Sequence, residues 1–287
     1  MRLRRKPHSK AYGLALITWL YVLWSLLPVL LAVRISLNSG KSRSVLQSMS
    51  FRWYWGDTTG SIWHDDSMQS AMVNTLKLAG LCMLITTPLG VAMAIGLHRW
   101  RGKLSAGANG LMLVPIVTPE LVFGVALLLV FTQLYSGIPA GLPTQLIGHV
   151  TFTVSFVVII IRSRLAAIGG QYEEAARDLG ANRFQALRLV LLPLLGPAIF
   201  ASLMVTFATS VDDFVISSFL STGAGTETVP IKIYSGAKAG STPALNALAT
   251  IMLLFTLTAV ALAGLVMKRL RTHGPNDITA SLTSVTI

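Results

Sequence analysis

The sequence predicts an all-α integral membrane protein with six membrane-spanning helices. Three observations carry that prediction. The 287 residues are 53% hydrophobic and only 12% charged, with a mean hydropathy of +0.66, which is too apolar for a soluble domain of ordinary composition. Apolar runs of the length that crosses a hydrocarbon layer of about 30 Å recur six times along the chain. Lys and Arg gather in alternate connections between those runs, the pattern expected of a multi-span chain.

Residues 1–10, MRLRRKPHSK, place five basic residues ahead of an apolar run from Ala11 to Val33. The run is longer than a signal-peptide core and no small-residue cleavage pattern follows it, so an uncleaved first span is expected. Residues 34–69 are polar and aromatic. The density of Phe51, Trp53, Tyr54, Trp55 and Trp63 there predicts a segment lying in the membrane interface, with a substrate-contacting aromatic patch as the alternative. Further spans are expected near Met72–Leu97, Leu111–Tyr135, Leu146–Ile161, Leu194–Leu220 and Leu245–Met267. Residues 11–271 therefore form one six-span domain, and the Ser/Thr-rich tail 272–287 is expected to be disordered.

Both termini are expected on the cytoplasmic side. With that orientation the inner pieces hold five basic residues in 1–10, three in 99–103, five in 162–188 and three in 268–271, against six in the outer pieces. The formal charge of +12 is accounted for by these loops, so no nucleic-acid partner is implied. Membrane lipid is the solvent of the spans.

Catalytic chemistry finds no support. The single Cys82 lies inside an apolar run and has no partner for a disulfide or a metal cluster. The five histidines are scattered, and His149, at the start of the fourth span, is expected to be interfacial. No G-x-x-x-x-G-K-[ST] pattern occurs, so the chain is not expected to bind ATP or any other cofactor itself.

One long amphipathic segment interrupts the apolar pattern, Gln171–Pro193, QYEEAARDLGANRFQALRLVLLP. Tyr172–Leu179 is rich in helix formers and Gly180 offers the left-handed position that ends a helix. Asn182, followed by Gln185 three residues later, reads as the cap of a second helix that runs to Pro193. Such a helix–turn–helix would present Glu173, Glu174, Arg177 and Asp178 to a partner. The segment resembles the EAA loop of binding-protein-dependent ABC importer permeases, through Glu174, Ala175, Ala176, Gly180, Leu192 and Pro193. That resemblance implies a coupling helix that docks in a cleft of an ATPase subunit. The ATPase-coupling residues it implies are Glu173, Glu174, Ala175, Ala176, Asp178, Gly180 and Pro193.

Three acidic residues fall inside or at the edges of spans: Glu120, Asp212 and Asp213. A charged side chain at that depth costs roughly 2.5–3.5 kcal/mol on insertion scales, so each should face a cavity or a partner. Glu120 follows Pro119, and the prolines at 115 and 119 invite a broken helix. Neighbouring residues on a helix point about 100° apart, so the two aspartates either sit where the helix unwinds or divide into one that lines a path and one that serves structure. Pairing of these acids with basic groups on other helices is the competing expectation.

The stretches VPIVTPELVFG, FATSVDDFVISSFLS and VPIKIYSGAKAGSTPALNALATI are similar to permease subunits of spermidine/putrescine importers of the PotC/PotI kind, and the similarity runs from Phe51 through the sixth span. It implies a type I ABC importer (MetI-like) architecture in a bacterial inner membrane. It also implies a second homologous permease, an ATPase dimer that binds ATP and Mg, and an extracytoplasmic substrate-binding protein. Glu120, Asp212 and Asp213 would then line the path of a polyamine. Another small solute such as an aminophosphonate, or a secondary carrier acting alone, are the alternatives.

Overall fold

The computed structural model describes residues 12–42, 45, 47–100, 102–135, 137–240 and 242–272. The basic stretch 1–10 and the tail after Thr272 lie outside the described residues, as do Arg43 and Arg101 of the charge count. Over its described residues the chain forms two compact units, Met1–Asp65 with Gly236–Ile251, and Asp66–Ser235 with Met252–Ile287.

The first unit begins with α1 (Tyr12–Ser36). Its 25 residues are apolar all round, and none of its most hydrophobic window is buried. At 1.5 Å per residue it reaches about 38 Å, enough to cross a bilayer core. The connection after it is folded. Asn38 pairs with Met49 in an isolated antiparallel bridge, and its side-chain amide donates to the carbonyls of Ser42 (2.7 Å) and Val45 (2.9 Å). A single π-turn, Arg52–Gly56, buries Trp53 and Tyr54. The Trp53 indole N–H donates to the Asn38 carbonyl at 2.6 Å, and the Tyr54 and Ser36 hydroxyls are 2.7 Å apart. The segment expected in the membrane interface therefore has internal packing of its own. Two of the five rings form a small core, because each has a polar atom that needs an internal partner, while Phe51, Trp55 and Trp63 are exposed. Asp57 closes the turn. The Thr59 N–H, the Arg52 side chain and the Gly60 N–H together hold its carboxyl well below the usual carboxylate range.

The second unit holds α2 (Asp66–Arg99), α3 (Ser105–Leu111), α4 (Val114–Val117), α5 (Glu120–Leu129), α6 (Leu142–Ile168), α7 (Gln171–Asp178), α8 (Arg183–Ala186), α9 (Leu192–Asp212) and α10 (Val215–Leu220). The chain closes with α11 (Val229–Gly240) and α12 (Pro243–Thr272). Five described helices are long and apolar enough to cross a membrane, and the bent pair 105–117 with 120–134 makes six.

α2, α6 and α9 pack around an apolar core that includes Val91, Ala94, Val157, Ile161, Leu165, Leu191 and Leu195. Gly90 brings α2 and α6 into close approach. A Cβ built on it would lie 2.6 Å from the Cβ of Val157, so any side chain must push the two helices apart. Overpacking of this kind costs about 1–3 kcal/mol. Gly90→Leu is therefore expected to lower the melting temperature of the purified protein, and Val157→Ala to recover part of the loss. An unchanged melting temperature in Gly90→Leu would refute the tight contact.

The third span breaks where its prolines invite a break, and the fourth, fifth and sixth spans differ in extent from the sequence expectation. The third span breaks by 105° between Val117 and Glu120. Thr118 is extended there (ψ 130°), as the residue before a proline prefers to be. The fourth span is longer at both ends, because Thr144, Gln145, Arg162 and Arg164 are carried on the helix although they lower its hydropathy. The fifth ends at Asp212 rather than Leu220, and α10 is a separate short helix. The sixth extends to Pro243–Thr272.

Candidate functional site

The fifth span stops where its two aspartates stand. Asp213 is extended (φ −65°, ψ 120°), so the helix unwinds between Asp212, which is exposed, and Asp213, which is buried. The Asp213 carboxylate accepts from the Ser217 N–H (2.8 Å) and hydroxyl (2.7 Å) and lies 3.0 Å from His149 Nε2. The Ser217 hydroxyl also lies 2.9 Å from Nε2. The other ring nitrogen, Nδ1, lies 2.8 Å from the Ser210 hydroxyl. Asp213 thus caps the start of α10 and ties it to α6.

Glu120 is brought to the same place by the broken third span. It begins α5, where an acidic side chain is favoured by the helix dipole. α5 packs against α10 through Gly124, whose ideal Cβ would fall 2.7 Å from the Phe219 ring. Gly148 of α6 lies under Ile216 and Leu127. These small residues let α5, α6 and α10 meet, and they set the Glu120 carboxyl beside that of Asp213, with Asp212 close by. All three acidic residues singled out in the sequence therefore gather at one pair of helix breaks, and the aspartates divide into one exposed and one satisfied internally.

His149 corrects the expectation of an interfacial residue. The fourth span starts about one turn earlier than expected, and His149 lies inside the bundle with 1% of its surface exposed. Gln145 on the turn before it donates to the carbonyls of Ser217 (3.2 Å) and Thr226 (3.1 Å). Asn74 of α2 donates to the carbonyls of Gly225 and Glu227, and the Thr75 hydroxyl accepts from the Val229 N–H. The irregular stretch 221–228 is held by these side chains in place of a ladder of its own. A signal for them exists in the sequence. Gln145, His149 and Thr153 stand four residues apart, a polar stripe on one face of an otherwise apolar helix.

At the other end of the unit the amphipathic segment folds as two short helices. α7 ends in a complete glycine cap. The Ala181 N–H donates to the Ala176 carbonyl (3.0 Å), the Gly180 N–H to the Arg177 carbonyl (2.9 Å), and Gly180 takes φ 90°. Asn182 and Gln185 cap each other's backbone at 2.8 Å in both directions. The second helix is not separate from the span that follows. A π-turn at Leu187–Leu191 carries α8 into α9 as one rod, Arg183–Asp212, and it prepares the ladder for Pro193, which has no N–H to give. Glu173 forms an ion pair with Arg99 at the end of α2. Glu174, Asp178 and Gly180 line an open notch on α7, and Tyr172, Leu179 and Phe184 leave apolar surface exposed.

Residues 86–272 match the family described as "Binding-protein-dependent transport system inner membrane component". The chain belongs to that family. Among its relatives in this family, the spermidine/putrescine transport system permease protein PotC of Escherichia coli (strain K12) is 35% identical over 254 residues, 88% of this chain and 91% of that protein. The putrescine transport system permease protein PotI of the same organism is 37% identical over 231 residues, 79% of this chain and 80% of that one. In architecture the permease is similar to a chain of a bacterial ABC transporter that imports the acidic polysaccharide alginate, with a TM-score of 0.73 at 15% identity over 90% of this chain and 94% of that chain. It is similar also to a chain of the MetNI methionine ABC transporter, at a TM-score of 0.59 and 17% identity over 71% of this chain and 98% of the other. The six-span MetI-like fold expected from the sequence is the one observed.

Proposed function

We propose that this permease is the membrane subunit of an ATP-driven importer of polyamines. In that assembly it pairs with a second homologous permease, rests on an ATPase dimer that holds ATP and Mg, and receives substrate from an extracytoplasmic binding protein. Both of its termini are then cytoplasmic, and the chain binds no cofactor itself.

The observation that carries the substrate reading is the gathering of Glu120, Asp212 and Asp213 at one pair of helix breaks, in a chain whose relatives PotC and PotI are named for spermidine and putrescine. Carboxylates this close repel one another, and an ammonium group between them relieves the repulsion with charge-assisted hydrogen bonds. Asp213 is occupied by His149 and Ser217, which leaves Asp212 and Glu120 to meet the passing cation. Each contact alone is weak enough to release it.

The α7 segment supports the coupling role. Its glycine cap, the ion pair of Glu173 to Arg99 and the exposed Leu179 suit docking in a cleft of an ATPase. Closure of that ATPase would then rock the broken third span and the α8–α9 rod between two states. The test is uptake of radiolabelled spermidine and putrescine by cells carrying this chain with its neighbouring transporter genes, with and without the ATPase subunit. Uptake of either polyamine that requires the ATPase is the expected result. Absence of uptake from a complex that still purifies with an ATPase would refute the substrate, and failure to purify with an ATPase would refute the assembly.

A further inference from the structure

The break between α9 and α10 is held from a third helix. His149 of α6 has Nδ1 2.8 Å from the Ser210 hydroxyl, on the last turn of α9. Its Nε2 lies 3.0 Å from the Asp213 carboxylate and 2.9 Å from the Ser217 hydroxyl, both past the end of that helix. One buried imidazole therefore touches both sides of the break. The two sides are not equally fixed. Beyond the break, Asp213 also accepts from the Ser217 N–H and hydroxyl, so the ring is one tie among several. On the α9 side the ring meets a single hydroxyl.

Ala198, Ser202, Thr206 and Ser210 stand four residues apart, on one face of α9. Ala198 belongs to the apolar core shared with α2 and α6. The Ser202 hydroxyl donates to the Ala198 carbonyl of its own helix at 2.8 Å. The Thr206 hydroxyl is buried and has no hydrogen-bond partner among the described residues. Ser210 is thus the hydroxyl of this stripe that bonds to α6. Asp212 follows it by two residues on the same turn, about 200° around the helix axis. While Ser210 is seated on His149, Asp212 points away from α6, and it is exposed. Any swing of that turn moves the two together.

We propose that His149, on the reading that Asp212 meets the polyamine, is a positioning residue for the path: it seats Ser210 and so holds Asp212 in place until the α8–α9 rod moves. The Nδ1–Ser210 contact is the one released when it does. Removing one net hydrogen bond shifts a two-state element by about fivefold. Closure of the ATPase is the event that drives the rod, so loosening the seat makes closure easier in the absence of substrate. Hydrolysis then rises where transport falls. A contact that served only the fold would instead lower the amount of complex and leave the ratio of transport to hydrolysis unchanged.

The test uses the complex purified with its second permease and its ATPase and reconstituted in liposomes. ATP hydrolysis is read without binding protein or polyamine, and spermidine uptake per ATP is read with both. Ser210→Ala is expected to raise the substrate-independent hydrolysis about fivefold and to lower uptake per ATP by a similar factor, with the complex assembled in wild-type amount. Ser210→Thr, which keeps the hydroxyl, is expected to return both toward wild type. Ser202→Ala, whose hydroxyl serves its own helix, should leave both unchanged. Wild-type hydrolysis and uptake by Ser210→Ala overturn the proposal. So does loss of the assembled complex in Ser210→Ala, which would make the contact a tie of the fold alone. An equal change in Ser202→Ala also overturns it, because the His149 contact would then not be the cause. Wild-type uptake by Asp212→Asn, or no polyamine uptake by the wild-type complex, would instead remove the substrate reading, while the hydrolysis measurement, made without polyamine, still decides whether Ser210 seats the rod.

Discussion

Asp212→Asn is expected to abolish polyamine uptake while leaving the amount of assembled permease unchanged, and Asp213→Asn to reduce the amount of assembled protein. The two residues are adjacent, yet the chain turns between them. Asp212 ends α9 with its side chain exposed and makes no side-chain hydrogen bond or ion pair among the described residues. Asp213 receives the Ser217 N–H, the Ser217 hydroxyl and the His149 ring. An asparagine there keeps one acceptor but turns an NH2 group toward groups that already donate. Leaving a buried donor without its acceptor costs about 1–3 kcal/mol, a large part of the 5–15 kcal/mol that holds a typical domain together. The two effects separate when uptake is normalised to immunodetected protein in the membrane. Uptake by Asp212→Asn at the wild-type rate would remove that residue from the path. Normal levels of Asp213→Asn would show that the cap on α10 is dispensable.

Gly180→Val is expected to leave the protein folded in the membrane and to separate ATP hydrolysis from transport. Gly180 has φ 90°, in the left-handed region that a β-branched residue enters only with strain. No neighbouring atom lies within 4 Å of where its Cβ would be. The penalty is therefore confined to the backbone, roughly 1–3 kcal/mol, and is relieved by undoing the cap that fixes the angle between α7 and α8. Because α7 lies outside the packed core, that change should reach the docking face before it reaches stability. Gly180→Asn, which tolerates the left-handed region better, should keep more of the coupling. The measurement is substrate-stimulated ATPase activity beside uptake in the same reconstituted complex. Wild-type uptake by Gly180→Val would refute the coupling role.

The parts of this fold legible in the sequence are those set by local chemistry. Asn182 and Gln185 announce their reciprocal cap, Gly180 its positive φ, and Pro119 the break in the third span. Each depends on residues within a turn or two. The parts that were not legible depend on where distant hydrogen bonds go. Average hydropathy carries the fifth span through Asp213 to Leu220, because Phe214 and Val215 are apolar. It is the buried His149, sixty-odd residues earlier, that makes a stop at Asp212 tolerable. The same averaging trimmed Gln145 from the fourth span and misplaced His149 at a surface. The π-turn at Leu187–Leu191 left no trace in composition, since its residues are those of an ordinary apolar helix.

That π-turn makes a lever. With α8 and α9 joined, the coupling loop and the acidic break are the two ends of a single 30-residue helix, Arg183–Asp212. Its length is about 45 Å, so a tilt of about 10° imposed at Arg183 swings Asp212 through about 8 Å. A displacement of that size exceeds the reach of a hydrogen bond. On the proposed coupling role, a small movement imposed at Arg183 is thus geared up into the making or breaking of contacts at Asp212, with no relay of intermediate side chains needed to carry it.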